Sequence, residues 1–206
     1  MSEAKERETI CEIGASIFAR GLTAGSSGNL SVRLEEGFLM TPTGSSLGRL
    51  DPARLSRLDR EGRLASGDPP TKEAFLHRTM YEERAEARAV VHLHSTHSVA
   101  VSCLAEVDPE DVLPPITAYY VMRVGRLPLV PYFRPGDPAL AEAVRGFAGK
   151  HHALLLANHG PVVSGESLEA ALNAVEELEE TAKLYLMLRG AKTRYLTADA
   201  VRELRR

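Results

Sequence analysis

Seven histidines stand in the sequence, three of them between positions 92 and 97 and three between 151 and 159. Imidazole is the commonest metal ligand and changes charge near neutral pH, so its placement is the first chemical clue. In the apolar run Ala89-Val90-Val91-His92-Leu93-His94, side chains two apart on a strand share a face, which sets His92 and His94 side by side as a metal ion requires. Taken alone, His-x-His equally describes two histidines satisfied by backbone and water. His97 either extends the cluster or points elsewhere from an early helical turn. His159 stands in the turn Asn158-His159-Gly160 directly after the apolar strand 153–157, where a strand end delivers a side chain into a cleft. The plainer reading is that Asn158 and Gly160 simply make a good turn. Glu73, behind Thr71 and Lys72, is the candidate oxygen ligand or acid/base, although an acidic residue also favours a helix N-terminus by itself. Three imidazoles and one carboxylate suit Zn²⁺, whereas magnesium and calcium prefer all-oxygen sites.

Two loops of small residues indicate what a metal would act on. Ser27-Gly28-Asn29 and Thr43-Gly44-Ser45-Ser46 let backbone N–H groups approach an anion, and Thr71 with Lys72 lies at an expected helix N-terminus, where the dipole favours phosphate. Neither loop matches the P-loop or the dinucleotide fingerprint, which argues against a nucleoside triphosphate or NAD. The rest of the composition narrows the class. With 25 basic and 28 acidic side chains, the net charge of −3 gives no polycationic footprint, so no nucleic-acid partner is expected. Cys11 and Cys103 lie outside any CxxC spacing and fit free thiols of a reducing compartment. No apolar run approaches the ~20 residues of a membrane helix, and the charged N-terminus is unlike a signal peptide. A cytoplasmic protein with no membrane association is therefore expected.

The elements that must position these groups can be read from periodicity. Residues 3–20 carry Ile10, Ile13 and Ile17 at helical spacing, with Gly21 as a C-terminal cap. Leu30, Val32 and Leu34 alternate strictly and, past a turn at 35–37, pair with 38–41 as a hairpin. Thr71 is the expected N-cap of a helix through about Glu86, with Leu76 and Met80 on one face. A strand over 89–94 precedes a helix capped by Ser95 or Thr96. Residues 105–118 read as irregular, and 121–130 as a strand broken by Gly125 and Pro128. Asp137-Pro138 opens a helix carrying Leu140, Val144 and Phe147. A strand at 153–157 and extended chain at 162–163 follow. The last long helix runs from Ser167 to Gly190, with Glu176, Glu177, Glu179 and Glu180 expected on its solvent side. With 206 residues, 44% of them hydrophobic, and no dividing linker, the chain is expected to form one α/β domain spanning 1–206.

These residues also carry a resemblance. Gly-Asn-Leu-Ser at 28–31, Thr-Pro-Thr-Gly at 41–44, Glu73, His-Leu-His at 92–94 and Asn-His-Gly at 158–160 follow one another as in the class II aldolase/adducin family, which the chain resembles over nearly its whole length. Within that family it is similar to bacterial enzymes that decarboxylate 3-oxo-tetronate 4-phosphates, also in His-Ser-Thr-His-Ser at 94–98, in 112–125, in Pro-Tyr-Phe-Arg-Pro-Gly at 131–136, and in 176–183. The resemblance implies a three-layer α/β/α domain around a largely antiparallel sheet, assembled as a homotetramer with active sites at subunit interfaces. It implies one zinc per subunit on His92, His94 and His159, with Glu73 as ligand or acid/base. Phosphate-binding loops fall on Gly28, Asn29, Thr43, Gly44 and Thr71. Tyr119, or its neighbour Tyr120, matches a tyrosine given by the adjacent subunit as proton donor.

One departure concerns position 72. The aldolases of the family have a second small hydroxyl residue there, whereas Lys72 offers an ammonium that suits a substrate carboxylate as well as a phosphate. Glu73 replaces the aspartate of related sugar-phosphate epimerases, which argues against epimerisation. The implied reaction is metal-dependent decarboxylation of a small phosphorylated sugar acid through a zinc-stabilised enediolate, giving dihydroxyacetone phosphate and CO₂. The alternatives are an aldolase cleaving a deoxysugar phosphate and a metal-free, adducin-like binding domain. His77, His97, His151 and His152 are assigned only to surface or packing.

Overall fold

The structure is a computed structural model and describes residues 2–134 and 136–205. The chain runs α1 (Glu3–Ala19), β1 (Asn29–Leu34), β2 (Gly37–Met40), β3 (Ser56–Leu58), β4 (Leu64–Ser66), α2 (Ala74–Glu83), β5 (Ala89–His92), α3 (Thr96–Ser102), α4 (Ala118–Arg123), β6 (Leu129–Val130), α5 (Ala139–Ala148), β7 (Ala153–Leu156), β8 (Gly160–Gly165), α6 (Leu168–Leu188) and α7 (Ala198–Leu204). The strands form one eight-stranded sheet in the order β4-β3-β2-β1-β5-β8-β7-β6. Every neighbouring pair is antiparallel except β6 with β7, the pair joined through the crossover helix α5.

Alternation along the central strands explains the layers. Val91, Leu155 and Val163 join one apolar cluster with Ile10, Ile17, Val101 and Leu178, whereas Val90, Leu154 and Val162 join another with Leu76, Met80, Leu140 and Val144. Successive side chains of a strand point to opposite faces, so α1, α3, α4 and α6 cover one side of the sheet and α2 and α5 the other. This is the expected α/β/α arrangement with a largely antiparallel sheet. Because β5 is sandwiched on both faces, it reads as a continuous apolar run rather than an alternating one. No helix among the described residues is long and apolar enough to cross a membrane.

Several elements differ from expectation for identifiable reasons. Residues 118–123 are helical rather than extended. Thr117 accepts from Tyr120 N–H as the N-cap, and Tyr120, Val121 and Val124 bury one helical face, which overrides the β preference of the valines. Only Leu129–Val130 of that stretch is strand. The N-cap of α2 is Glu73 rather than Thr71, and this helix ends at Glu83. The strand β5 ends at His92, so Leu93 and His94 lie just beyond it. Residues 49–67, which carry little periodicity, hold short 3-10 turns and the hairpin β3–β4.

Candidate metal centre and active site

β5 sits between β1 and β8, and its last residue faces a partner on each side: Asn29 of β1 and Val162 of β8. Directly opposed residues of an antiparallel pair share a face, so His92 and Asn29 both project toward the side covered by α2. His92 is wholly buried, and its Nδ1–H donates to the Pro161 carbonyl at 2.8 Å. That bond fixes the tautomer and leaves the Nε2 lone pair free, the arrangement usual for a metal-bound imidazole. His159 reaches the same point because only residues 157–159 connect β7 to β8. Asn158 adopts φ 55°, and Gly160, at φ 152°, passes so near β5 that a Cβ there would lie 2.3 Å from the Leu93 carbonyl oxygen. Only glycine fits that approach.

The three Nε2 atoms form a triangle. His92 to His94 is 3.1 Å, His92 to His159 is 3.3 Å and His94 to His159 is 3.0 Å. A tetrahedral ion with metal–nitrogen bonds of ~2.0–2.1 Å requires nitrogens roughly 3.3–3.4 Å apart, so the triangle is within a few tenths of an ångström of that geometry. Glu73 closes the group, with Oε2 3.4 Å from His92 Nε2 and Oε1 3.2 Å from His159 Nε2. All four ligand atoms lie within 4.8 Å of one another. Burial pushes His92 down to about 3 and lowers His94 as well, so both imidazoles are neutral and able to donate a lone pair. Burial works against ionisation of Glu73, yet its carboxyl is held well below its ordinary range, with the Asn29 amide donating to it. Neutral imidazoles beside an ionised carboxylate are the donor set of a first-row divalent metal.

The Glu73 carboxylate is free for this role because it makes no capping bond to its own helix; instead it accepts from Asn29 Nδ2 at 2.8 Å. A cavity of about 550 Å³ opens on His94 and His159, walled by Thr96, Val99, Tyr132 and Phe133. The other expected site residues gather around the same end of the sheet. Gly28, at φ 81°, places its Cα beside the His92 carbonyl, immediately before Asn29. Thr43 N–H donates to the Pro69 carbonyl and Thr71 N–H to that of Thr41, so the loop bearing Thr43 and Gly44 runs alongside the segment bearing Thr71 and Lys72. Thr71 is buried and its hydroxyl accepts from Glu73 N–H at 3.3 Å, while Thr43, Gly44 and Lys72 are exposed.

The tyrosines separate cleanly. Tyr120 is core, with its hydroxyl donating to the Leu113 carbonyl and its pKa raised by burial. Tyr119 is 59% exposed on α4, with the Arg123 guanidinium 5.3 Å from its ring centroid. Arg123 lines a cavity with Ala87, Ser164 and Gly165, at the end of β5 and β8 opposite His92 and His159. The chain by itself therefore does not bring Tyr119 to the histidines.

Two clusters were not expected. His97 does not extend the metal group; its Nδ1 bonds Glu179, which also accepts from the backbone N–H groups of His97 and Ser98 and from the Ser98 hydroxyl. Glu179 is thus buried at the start of α3, rather than facing solvent with the neighbouring glutamates of α6. Behind Asn29, the buried side chains of His77, Ser31 and Tyr81 form a connected set of hydrogen bonds. Their polar positions in β1 and α2 were the available signal.

The pattern of the Class II Aldolase and Adducin N-terminal domain family matches residues 8–186. The 3-oxo-tetronate 4-phosphate decarboxylase of Haemophilus influenzae is 51% identical over 205 residues, covering 99% of this chain and 98% of the relative. The L-fuculose phosphate aldolase of the same organism is 34% identical over 191 residues, covering 91% of this chain and 85% of the relative. Among solved structures, the crystal structure of YgbL from Escherichia coli is 51% identical and superposes with a TM-score of 0.97, covering 99% of each chain.

Proposed function

The chain belongs to the class II aldolase and adducin family, and from that membership we propose that it converts a 3-oxo-tetronate 4-phosphate to dihydroxyacetone phosphate and CO₂. The observation that carries this reading is the 51% identity, over nearly the full length, to a decarboxylase of that substrate, in a chain that keeps Glu73, His92, His94 and His159 together. In the reaction the C1–C2 bond breaks, CO₂ leaves, the electron pair moves toward the C3 carbonyl, and a proton returns to C2. A zinc ion, one per subunit on the three histidines and Glu73, would supply Lewis acidity at the C3 carbonyl oxygen.

The chain's own groups do the rest. His92, His94 and His159 hold their nitrogens in a fixed triangle and need no reorganisation during the reaction. Glu73, ionised and steadied by Asn29, holds the proton of the C2 hydroxyl. Gly28, Asn29, Thr43, Gly44 and Thr71 bind the phosphate, and Lys72 stands at the rim to attract an anionic substrate. Tyr119, exposed on α4 beside the equally exposed Met122, returns the proton to C2 from a neighbouring subunit of a homotetramer. A single domain spanning 1–206 is supported by the one sheet shared from β1 to β8. The free thiols Cys11 and Cys103 suit the cytoplasm.

The second reading is an aldolase, favoured by the 34% identity to a fuculose phosphate aldolase. Incubating zinc-loaded protein with 3-oxo-tetronate 4-phosphate and with L-fuculose 1-phosphate separates the two. Release of CO₂ and dihydroxyacetone phosphate in equal amounts from the first is expected. Aldehyde from the second, with no CO₂ from the first, would replace decarboxylation by aldol cleavage.

A further inference from the structure

The hydrogen bonds behind Glu73 have only one consistent direction when they are traced from the carboxylate inward. Glu73 accepts from Asn29 Nδ2, which fixes the Asn29 amide with its carbonyl oxygen turned the other way, onto His77 Nε2. A carbonyl oxygen only accepts, so His77 must carry its proton on Nε2. Nδ1 is then a bare acceptor, and it lies 2.7 Å from Ser31 Oγ, which must donate to it. Having spent its proton there, the Ser31 hydroxyl accepts from Tyr81 OH, also at 2.7 Å. The alternation of donor and acceptor runs without a break from Tyr81 to Glu73.

The fold places these groups by two short periodicities. Asn29 and Ser31 are two apart on β1 and so share the face toward α2, and their partners in β5 are His92 and Val90. Glu73, His77 and Tyr81 are four apart along α2 and its N-cap and so form a row on one side of it. His77 and Ser31 are wholly buried and Tyr81 nearly so, so none of these three can exchange its partner for bulk water. Burial also keeps His77 neutral, pushing its pKa down to about 4.

We propose that His77 is a positioning residue for the reaction, held as the Nε2–H tautomer by Ser31 and Tyr81 so that Asn29 presents its NH₂, and not its carbonyl, to Glu73. With the other tautomer, Nε2 would demand a donor, the amide would turn, and the Asn29 oxygen would face the carboxylate oxygen. This inference rests on the role given above to Glu73, but not on the identity of the substrate.

Its direct test is the tautomer. In metal-loaded protein carrying ¹⁵N-labelled histidine, at neutral pH, the spectrum of His77 should show a protonated Nε2 and an unprotonated Nδ1. A protonated Nδ1 would overturn the proposal. The kinetic test uses three variants at saturating metal. His77→Phe should lower kcat by about tenfold to hundredfold, the usual range for a group that orients a metal-site ligand, with KM within about threefold of wild type. His77→Gln, which keeps a donor and an acceptor, should recover most of that loss. Tyr81→Phe, which keeps the ring stacked on Phe38 at 5.2 Å between centroids, should fold and lower kcat severalfold. Unchanged kcat in folded His77→Phe and in Tyr81→Phe would overturn the role. Wild-type protein that releases no CO₂ would instead remove the decarboxylase reading, and the tautomer would still be decided by the spectrum.

Discussion

At the scale of single residues, three of the four clustered side chains are held by something other than a metal: Pro161 fixes His92, the Gly160 approach fixes His159, and Asn29 fixes Glu73. Losing one nitrogen from such a set should empty the site without unfolding the protein. His94→Ala, whose side chain is only partly buried, should keep the wild-type melting temperature in metal-free buffer yet bind no stoichiometric metal by elemental analysis and show no activity. Glu73→Gln keeps the shape and the histidines, so it should retain metal at saturating concentration while kcat falls about 10²–10⁴-fold, the range of a lost acid/base group. That these four residues would come together was legible because histidines were set by type and spacing on a strand and at a strand end. His77 and Ser31 were not legible. Asn29, Ser31 and Arg33 alternate with Leu30, Val32 and Leu34, which reads as a strand with one wet face. In the fold α2 covers that second face, and Asn29 and Ser31 are buried there and hydrogen-bonded to Glu73, His77 and Tyr81.

At the scale of elements, α3 follows His94 directly, and its start is tied to α6 by one carboxylate. Glu179 accepts four hydrogen bonds from His97 and Ser98. Burial alone would raise its pKa, but the donors at the start of α3 prevail and lower it. A carboxyl depressed in the folded state stabilises the fold fully above its unfolded value near 4.3 and loses that contribution as pH falls through the folded value. Glu179→Gln should therefore be less stable than wild type by about 2–3 kcal/mol in urea denaturation at neutral pH, the worth of charge-assisted hydrogen bonds. The gap should narrow at pH 3. In sequence, Glu179 was one of four glutamates within five residues, and nothing local marks which of them turns inward. The same limit applies to α4. Val121, Val124 and Val130 favour a strand locally, while the cap at Thr117 and the docking of Tyr120 and Val121 into the core depend on α6. The long helices and the β1–β2 hairpin were legible because their own periodicity already contains the buried face.

At the scale of the whole molecule, Tyr119 and the histidines lie toward opposite ends of the central strands, so a site that uses both needs two chains. Subunits carrying Tyr119→Phe and subunits carrying His94→Ala should each be nearly inactive alone. Mixed, dissociated and reassembled, they should regain a fraction of wild-type activity, because some interfaces then pair an intact tyrosine with an intact metal group. No recovery from a verified mixed oligomer would mean that the proton donor lies within one chain. The position of β5 has another consequence. His92 ends a strand hydrogen-bonded on both sides by β1 and β8, whereas His94 and His159 stand on chain outside the paired strands. Central strands open with nearly the full free energy of unfolding, and turns open with far less. The three imidazoles therefore share no common lifetime: two are governed by local fluctuation and one by the stability of the entire sheet, and a metal ion held by them would exchange through opening of local chain rather than of the sheet.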